Sequence, residues 1–191
     1  MHTVEKTFEF DLAHRIHNQN LDSSFTETSK PVLKCRRLHG HTAQLKVKLG
    51  ADKLVDDMVI DYNEMGFVKR MIDDVFDHRT LLSSEDPLYE KVVKNIFKQY
   101  TNLICGISLF NDFKWHVRTI DTSSIEDQDI KEFLSAFVIV PFTTSSENIA
   151  NWIAEVVKEH VDLYNTRNNT NVKLVSVSYK ETPKSEAVYT A

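Results

Sequence analysis

The chain has 191 residues, 41% hydrophobic and 27% charged, which suits one domain, 1–191, with enough apolar material for a core that needs no covalent staples. A net charge of −5 excludes a nucleic-acid binder working through a broad basic surface, and two cysteines exclude a disulfide framework and fit a reducing compartment. No apolar run of transmembrane length occurs, and the first residues lack a signal-peptide core, so the expected setting is cytoplasmic, with neither membrane nor nucleic acid as partner.

Residues 3–13 alternate, with Val4, Phe8, Phe10 and Leu12 on one parity and Thr7, Glu9 and Asp11 on the other, which predicts a half-buried strand. His14 shares the apolar parity and is expected to project from the buried face just past that strand. Residues 15–33, rich in Asn, Ser and Thr, read as a loop. Ala43, Leu45, Val47 and Leu49 then alternate with Gln44, Lys46 and Lys48 in a second strand, and His39 and His41 lie on the odd, apolar parity.

Residues 58–76 are expected to hold a short strand and then a helix carried by Val68, Met71, Ile72 and Val75, with Asn63 as N-cap. A further helix is expected over 87–100, with Leu88, Val92, Ile96 and Phe97 on one side. Between 101 and 142 the pattern is mixed: a strand near Phe113–Ile120, a helix within 126–137 and an apolar run ending near Phe142. The segment 145–160 predicts an amphipathic helix through Ile149, Trp152, Ile153, Val156 and Val157, and 171–181 a closing strand. The sum is an α+β fold of mostly antiparallel strands with helices collected on one side.

His39 and His41 are separated by one residue, so on a strand both rings aim to one side, an arrangement suited to zinc. His14 is the best third ligand, and three protein ligands leave a zinc position open, as catalytic sites require. Gly40 lets the backbone approach closely with no side chain in the way. Cys35, four residues before His39, is either a small buried hydrophobe or a thiolate acting as a base beside a cation. Cys105 reads as a buried hydrophobe, and His2, His17, His116 and His160 as surface or packing residues.

Taken in order, FEFDLAHR with His14, CRRLHGH, VIDYNEM, FDHRTL, TTSSEN and YKETPKSEAVY resemble the superfamily of 6-pyruvoyltetrahydropterin and 6-carboxytetrahydropterin synthases. The Cys-x-x-x-His-Gly-His spacing and the KET ending are closer to the carboxy branch, which serves queuosine and 7-deazaguanine biosynthesis. The resemblance implies a T-fold: a four-stranded antiparallel sheet with two helices, typically assembled as a homohexamer of two trimers. It implies Zn2+ held by His14, His39 and His41, Cys35 as catalytic base, Asp77 with His78 as a catalytic pair, and Glu181 as the carboxylate anchoring the pterin ring. Glu147 borders the substrate pocket in relatives; on its own spacing it completes a capping box with Thr144. Asp77-His78 has a structural alternative too, closing a helix.

The implied substrate is 7,8-dihydroneopterin triphosphate and the implied product 6-carboxytetrahydropterin, with acetaldehyde and triphosphate lost. Two alternatives stay open: a pyruvoyl synthase that only eliminates triphosphate, and a non-catalytic zinc-stabilised pterin binder. The chain departs from the family between His78 and Thr143, where residues of about 83–139 read as an insertion, and in the displaced proline of PFTTSSEN.

Overall fold

The structure, a computed structural model, describes residues 1–26, 32–89, 91, 95, 105–110 and 113–191, apart from the side chains of 105–110 and 113–116. Its strands are β1 (His2–His14), β2 (His39–Ala51), β3 (Arg79–Ser83), β4 (Cys105–Phe110), β5 (Phe113–Ile120), β6 (Phe137–Val140), β7 (Lys173–Thr182) and β8 (Ser185–Thr190). The helices are α1 (Gly66–Val75), α2 (Gln128–Ser135) and α3 (Ser146–Asn168). The hydrogen-bonded strand order is β4-β5-β6-β3-β1-β2-β7-β8. The α+β class is as expected, but the sheet has eight strands rather than four and is mixed, because β3 runs parallel to both β1 and β6.

Two compact units divide the chain. The first comprises Met1–Asp11, His41–Asp77 and Ser145–Ala191. Within it β2, β7 and β8 form an antiparallel meander, with Leu45 opposite Tyr179 and Val47 opposite Val177. The odd residues of β2 from Ala43 to Leu49 are buried, as the alternation requires, and each of Leu45, Val47 and Leu49 removed from water contributes roughly 1.5–3 kcal/mol. β8 was not expected as a separate strand. The chain reverses at Pro183-Lys184, where Pro suits a turn and the Thr182 and Ser185 hydroxyls bond at 2.8 Å.

α1 buries Phe67, Val68, Met71, Ile72 and Val75, the face predicted. The short strand expected before it does not form: Val55 and Met58 bridge instead across a tight turn whose Asp56 and Asp57 have φ of 50° and 62°. Nor does Asn63 cap the helix. The N-cap is Met65, and Asn63 instead spends its own N–H on the Asp61 carboxylate in the preceding turn. α3 is capped by Ser145, whose hydroxyl accepts from the Asn148 N–H at 3.4 Å. The Thr144–Glu147 capping box is therefore incorrect: Glu147 is an exposed first-turn residue, favourable there through the helix dipole. α3 packs on β7 and β8, and Phe10, Phe76, Trp152 and Tyr179 supply the aromatic part of this core.

The second unit comprises Leu12–Gly40 and His78–Thr144. Here the end of β1 pairs parallel with β3, Leu12 opposite Arg79 and Ala13 opposite Thr80, and β3 pairs parallel with β6. β5 and β4 continue antiparallel. α2 begins at the Asp127 cap, whose carboxylate accepts from the Ile130 N–H at 3.1 Å. Leu82, Tyr89, Ile120, Ile125, Leu134 and Ile139 form a core of their own. Most of the helix expected over 87–100, and the side chains of Cys105 and His116, lie outside the described residues. No helix among the described residues is long and apolar enough to cross a membrane.

Candidate metal centre and active site

β1 ends on His14, which follows Phe8, Phe10 and Leu12 on the buried parity and is itself fully buried. Its Nδ1 lies 2.7 Å from the Thr144 carbonyl oxygen. A carbonyl can only accept, so Nδ1 carries the proton of the neutral ring and Nε2 carries the lone pair. His39 opens β2 and repeats the pattern, its Nδ1 donating to the Arg37 carbonyl at 2.7 Å. The two rings lie 4.7 Å apart between centroids. Backbone carbonyls that fix the tautomer in this way are the usual outer partners of metal-binding imidazoles. Gly40 has the close approach expected of it, since a Cβ there would stand 3.3 Å from the Leu12 carbonyl oxygen.

His41 follows on the same side of β2. Odd residues of β2 and β7 share a face, and continuing that parity past the Gln44–Lys180 pair sets Glu181 alongside Ala43 and His41. Glu181 Oε1 lies 3.4 Å from His41 Nε2, and Oε2 accepts from the Ser146 hydroxyl at 3.1 Å. One ligand atom from each of His14, His39, His41 and Glu181 falls within 4.8 Å of all the others. Three imidazoles with a carboxylate are a donor set suited to zinc, with nitrogen ligands on strand ends rather than on floppy loops. The residues fit a divalent ion.

The other residues singled out are placed as follows. Cys35 sits on a single 3-10 turn, Lys34–Arg36, is partly buried and is not a member of the histidine group. Its carbonyl accepts from the Ile16 N–H at 2.7 Å and its N–H donates to Gln19 Oε1 at 3.0 Å, which ties the thiol-bearing turn to the residues just after His14. Asp77 Oδ1 accepts from the Asp11 N–H at 3.3 Å. The Asp77 N–H bonds the Ile72 carbonyl beyond the end of α1, and exposed His78 adopts φ 57°, a left-handed conformation that His tolerates better than most residues. Glu147 points from the first turn of α3 and is exposed.

Two contributors were not foreseen. Thr144 acts on His14 through its backbone carbonyl, a role open to any residue type, so no sequence signal marks it. Tyr179, two residues before Glu181 on the same parity, is fully buried, and its hydroxyl has no hydrogen-bond partner among the described residues. Burial, with the Glu181 charge second, pushes the Tyr179 phenol well up.

Over 103 residues the chain is 38% identical to the 6-carboxy-5,6,7,8-tetrahydropterin synthase of Aquifex aeolicus, covering 51% of this chain and 62% of that protein. Over 83 residues it is 32% identical to the protein of the same name from Haemophilus influenzae, covering 41% and 50%. Both matches span less than two thirds of the relative's length. Among solved structures, uncharacterized protein WS1659 from Wolinella succinogenes superposes with a TM-score of 0.83 at 31% identity, covering 99% of this chain and 97% of that one. The 6-pyruvoyltetrahydropterin synthase of Plasmodium vivax shares the fold, with a TM-score of 0.53 at 20% identity over 99% and 98%. The family model described as 6-pyruvoyl tetrahydropterin synthase matches residues 3–191, and the chain belongs to that family.

Proposed function

We propose that the protein is a metal-dependent 6-carboxy-5,6,7,8-tetrahydropterin synthase that converts 7,8-dihydroneopterin triphosphate and one water to 6-carboxytetrahydropterin, acetaldehyde and triphosphate. The observation that carries this is the convergence of His14, His39, His41 and Glu181 in a chain of this family. The names of the Aquifex and Haemophilus relatives support the carboxy branch.

His14, His39 and His41 would hold the ion, Zn2+ by donor type, which supplies Lewis acidity toward the hydroxyl oxygens of the substrate side chain. Cys35, on the turn Lys34–Arg36, takes a proton from that side chain. Asp77 and His78 return a proton to the substrate. Glu181 accepts the paired N–H groups of the aminopyrimidinone edge, as carboxylates do from a guanidinium. To do so it exchanges Ser146 and His41 for the ring. Glu147, exposed in the first turn of α3, meets the substrate from the rim.

The protein acts as a homo-oligomer in the cytoplasm, feeding 7-deazaguanine synthesis, and residues of about 83–139 are an insertion in the T-fold domain. A second reading, a pyruvoyl synthase that eliminates triphosphate and keeps the side-chain carbons, takes its support from the family description. Mass identification of products from purified protein and 7,8-dihydroneopterin triphosphate, with and without chelator, separates them. The carboxy product, abolished by chelator, is the expected result. A pyruvoyl product moves the chain to the other branch, and bound metal without turnover leaves a pterin binder.

A further inference from the structure

We propose that Asp86, acting through Arg15 and Thr144, is a positioning residue that sets the His14 ring for metal binding. The proposal rests on the metal reading of the histidine group, and concerns only how one ligand is held.

Asp86 lies just after β3, and its side chain is completely buried. Its Oδ2 meets Arg15 Nε at 2.9 Å, its Oδ1 accepts from the Leu88 N–H at 2.8 Å, and its own N–H bonds the Ser83 carbonyl at 3.0 Å. The residue is thus fixed to its own turn by two bonds, one from the carboxylate and one from its backbone N–H, and the second carboxylate oxygen faces Arg15. Arg15 follows His14 directly, and its carbonyl oxygen accepts from the Thr144 hydroxyl at 2.8 Å. The Thr144 carbonyl in turn accepts from His14 Nδ1 at 2.7 Å, and both Thr144 and His14 are fully buried. One peptide bond and two hydrogen bonds therefore close a ring through His14, Arg15 and Thr144, and the ion pair clamps that ring to the turn after β3.

A buried ion pair is a poor device for stability alone, because desolvating two charges offsets most of their attraction, and an apolar pair would pack as well. What an apolar pair cannot do is dictate the direction of the Arg15 backbone. That direction decides where Thr144 sits, hence which His14 nitrogen keeps its proton and where the other one aims. Asp86 belongs to the stretch of about 83–139 proposed above as an insertion, so on this proposal that stretch contributes to the metal centre rather than merely decorating the fold.

The test uses the full chain stripped of metal. Asp86→Asn and Thr144→Val are compared with wild type in two measurements: zinc affinity by competition with a colorimetric chelator, and the His14 tautomer by nitrogen NMR of the metal-free protein. Asp86→Asn is expected to weaken zinc about 10–100-fold, the range for outer partners of metal ligands, and to turn a single His14 tautomer into a mixture. Thr144→Val should do the same to a smaller degree. Unchanged affinity with a single tautomer in Asp86→Asn overturns the proposal, whatever Thr144→Val does. If Asp86→Asn does not fold, the double variant Asp86→Leu with Arg15→Met, an apolar pair, takes its place and is judged by the same outcome. Wild-type protein that binds no zinc overturns the metal reading itself, a result distinct from a variant that binds as tightly as wild type.

Discussion

His160 allows an energetic prediction from a few side chains. It lies on α3 with its ring stacked on Phe67, centroids 3.6 Å apart and planes 12° from parallel. Burial, then the positive charges of Arg70 and Arg167, lowers its pKa from 6.5 to about 4. The folded chain thus holds the ring neutral where the unfolded chain protonates it. Stability is fully present above pH 6.5 and is lost as pH falls toward 4, because unfolded chain binds the extra proton over that window. At 1.36 kcal/mol per pH unit the gap corresponds to about 3.4 kcal/mol. The ring is only half-buried and solvent screens it, so the expected loss is about 1–2 kcal/mol. The assay is urea unfolding of chelator-treated protein at pH 7 and pH 4.5, for wild type and His160→Gln. Carboxylates and the other histidines titrate alike in both proteins, so the difference of differences isolates His160. Wild type should lose about 1–2 kcal/mol more than the variant on acidification. Equal losses would refute the reasoning.

Three other substitutions probe the site. Tyr179→Phe removes a buried hydroxyl without a hydrogen-bond partner among the described residues, so the thermal midpoint of the metal-free protein should stay or rise by the equivalent of up to ~1 kcal/mol; a clear drop would mean the hydroxyl is satisfied. Glu181→Gln keeps shape but not charge: a raised KM with zinc affinity retained marks the pterin anchor, whereas weakened zinc binding marks Glu181 as a fourth ligand. Cys35→Ala should cut turnover by roughly 10²–10⁴-fold, the scale of general base catalysis, with zinc affinity unchanged. Near wild-type turnover would remove Cys35 from the mechanism.

Much of the site was legible because it is written in strand parity. Phe8, Phe10 and Leu12 announce the buried face that His14 then shares, and Ala43 to Leu49 do the same for His39 and His41. The helix read over 145–160 was equally plain from its apolar period, although it runs on to Asn168. What the residues did not announce depends on partners far along the chain. β3 is only Arg79–Ser83, too short to show a period, yet its parallel pairing with β1 changes a plain antiparallel sheet into a mixed one. The cap of α3 is Ser145 rather than Thr144, whose hydroxyl instead donates to the Arg15 carbonyl, a contact between residues distant in sequence. The run at Val59-Ile60 is apolar enough for a strand, but those residues bury their side chains without forming a ladder with any described strand.

The most direct test of the central claim is equilibrium dialysis of the purified chain against zinc. One ion bound per chain is predicted, with affinity reduced at least a hundredfold by alanine at His14, His39 or His41 and retained in Cys35→Ala. Undiminished binding after loss of any one of those imidazoles, or no binding by the unaltered chain, would contradict it.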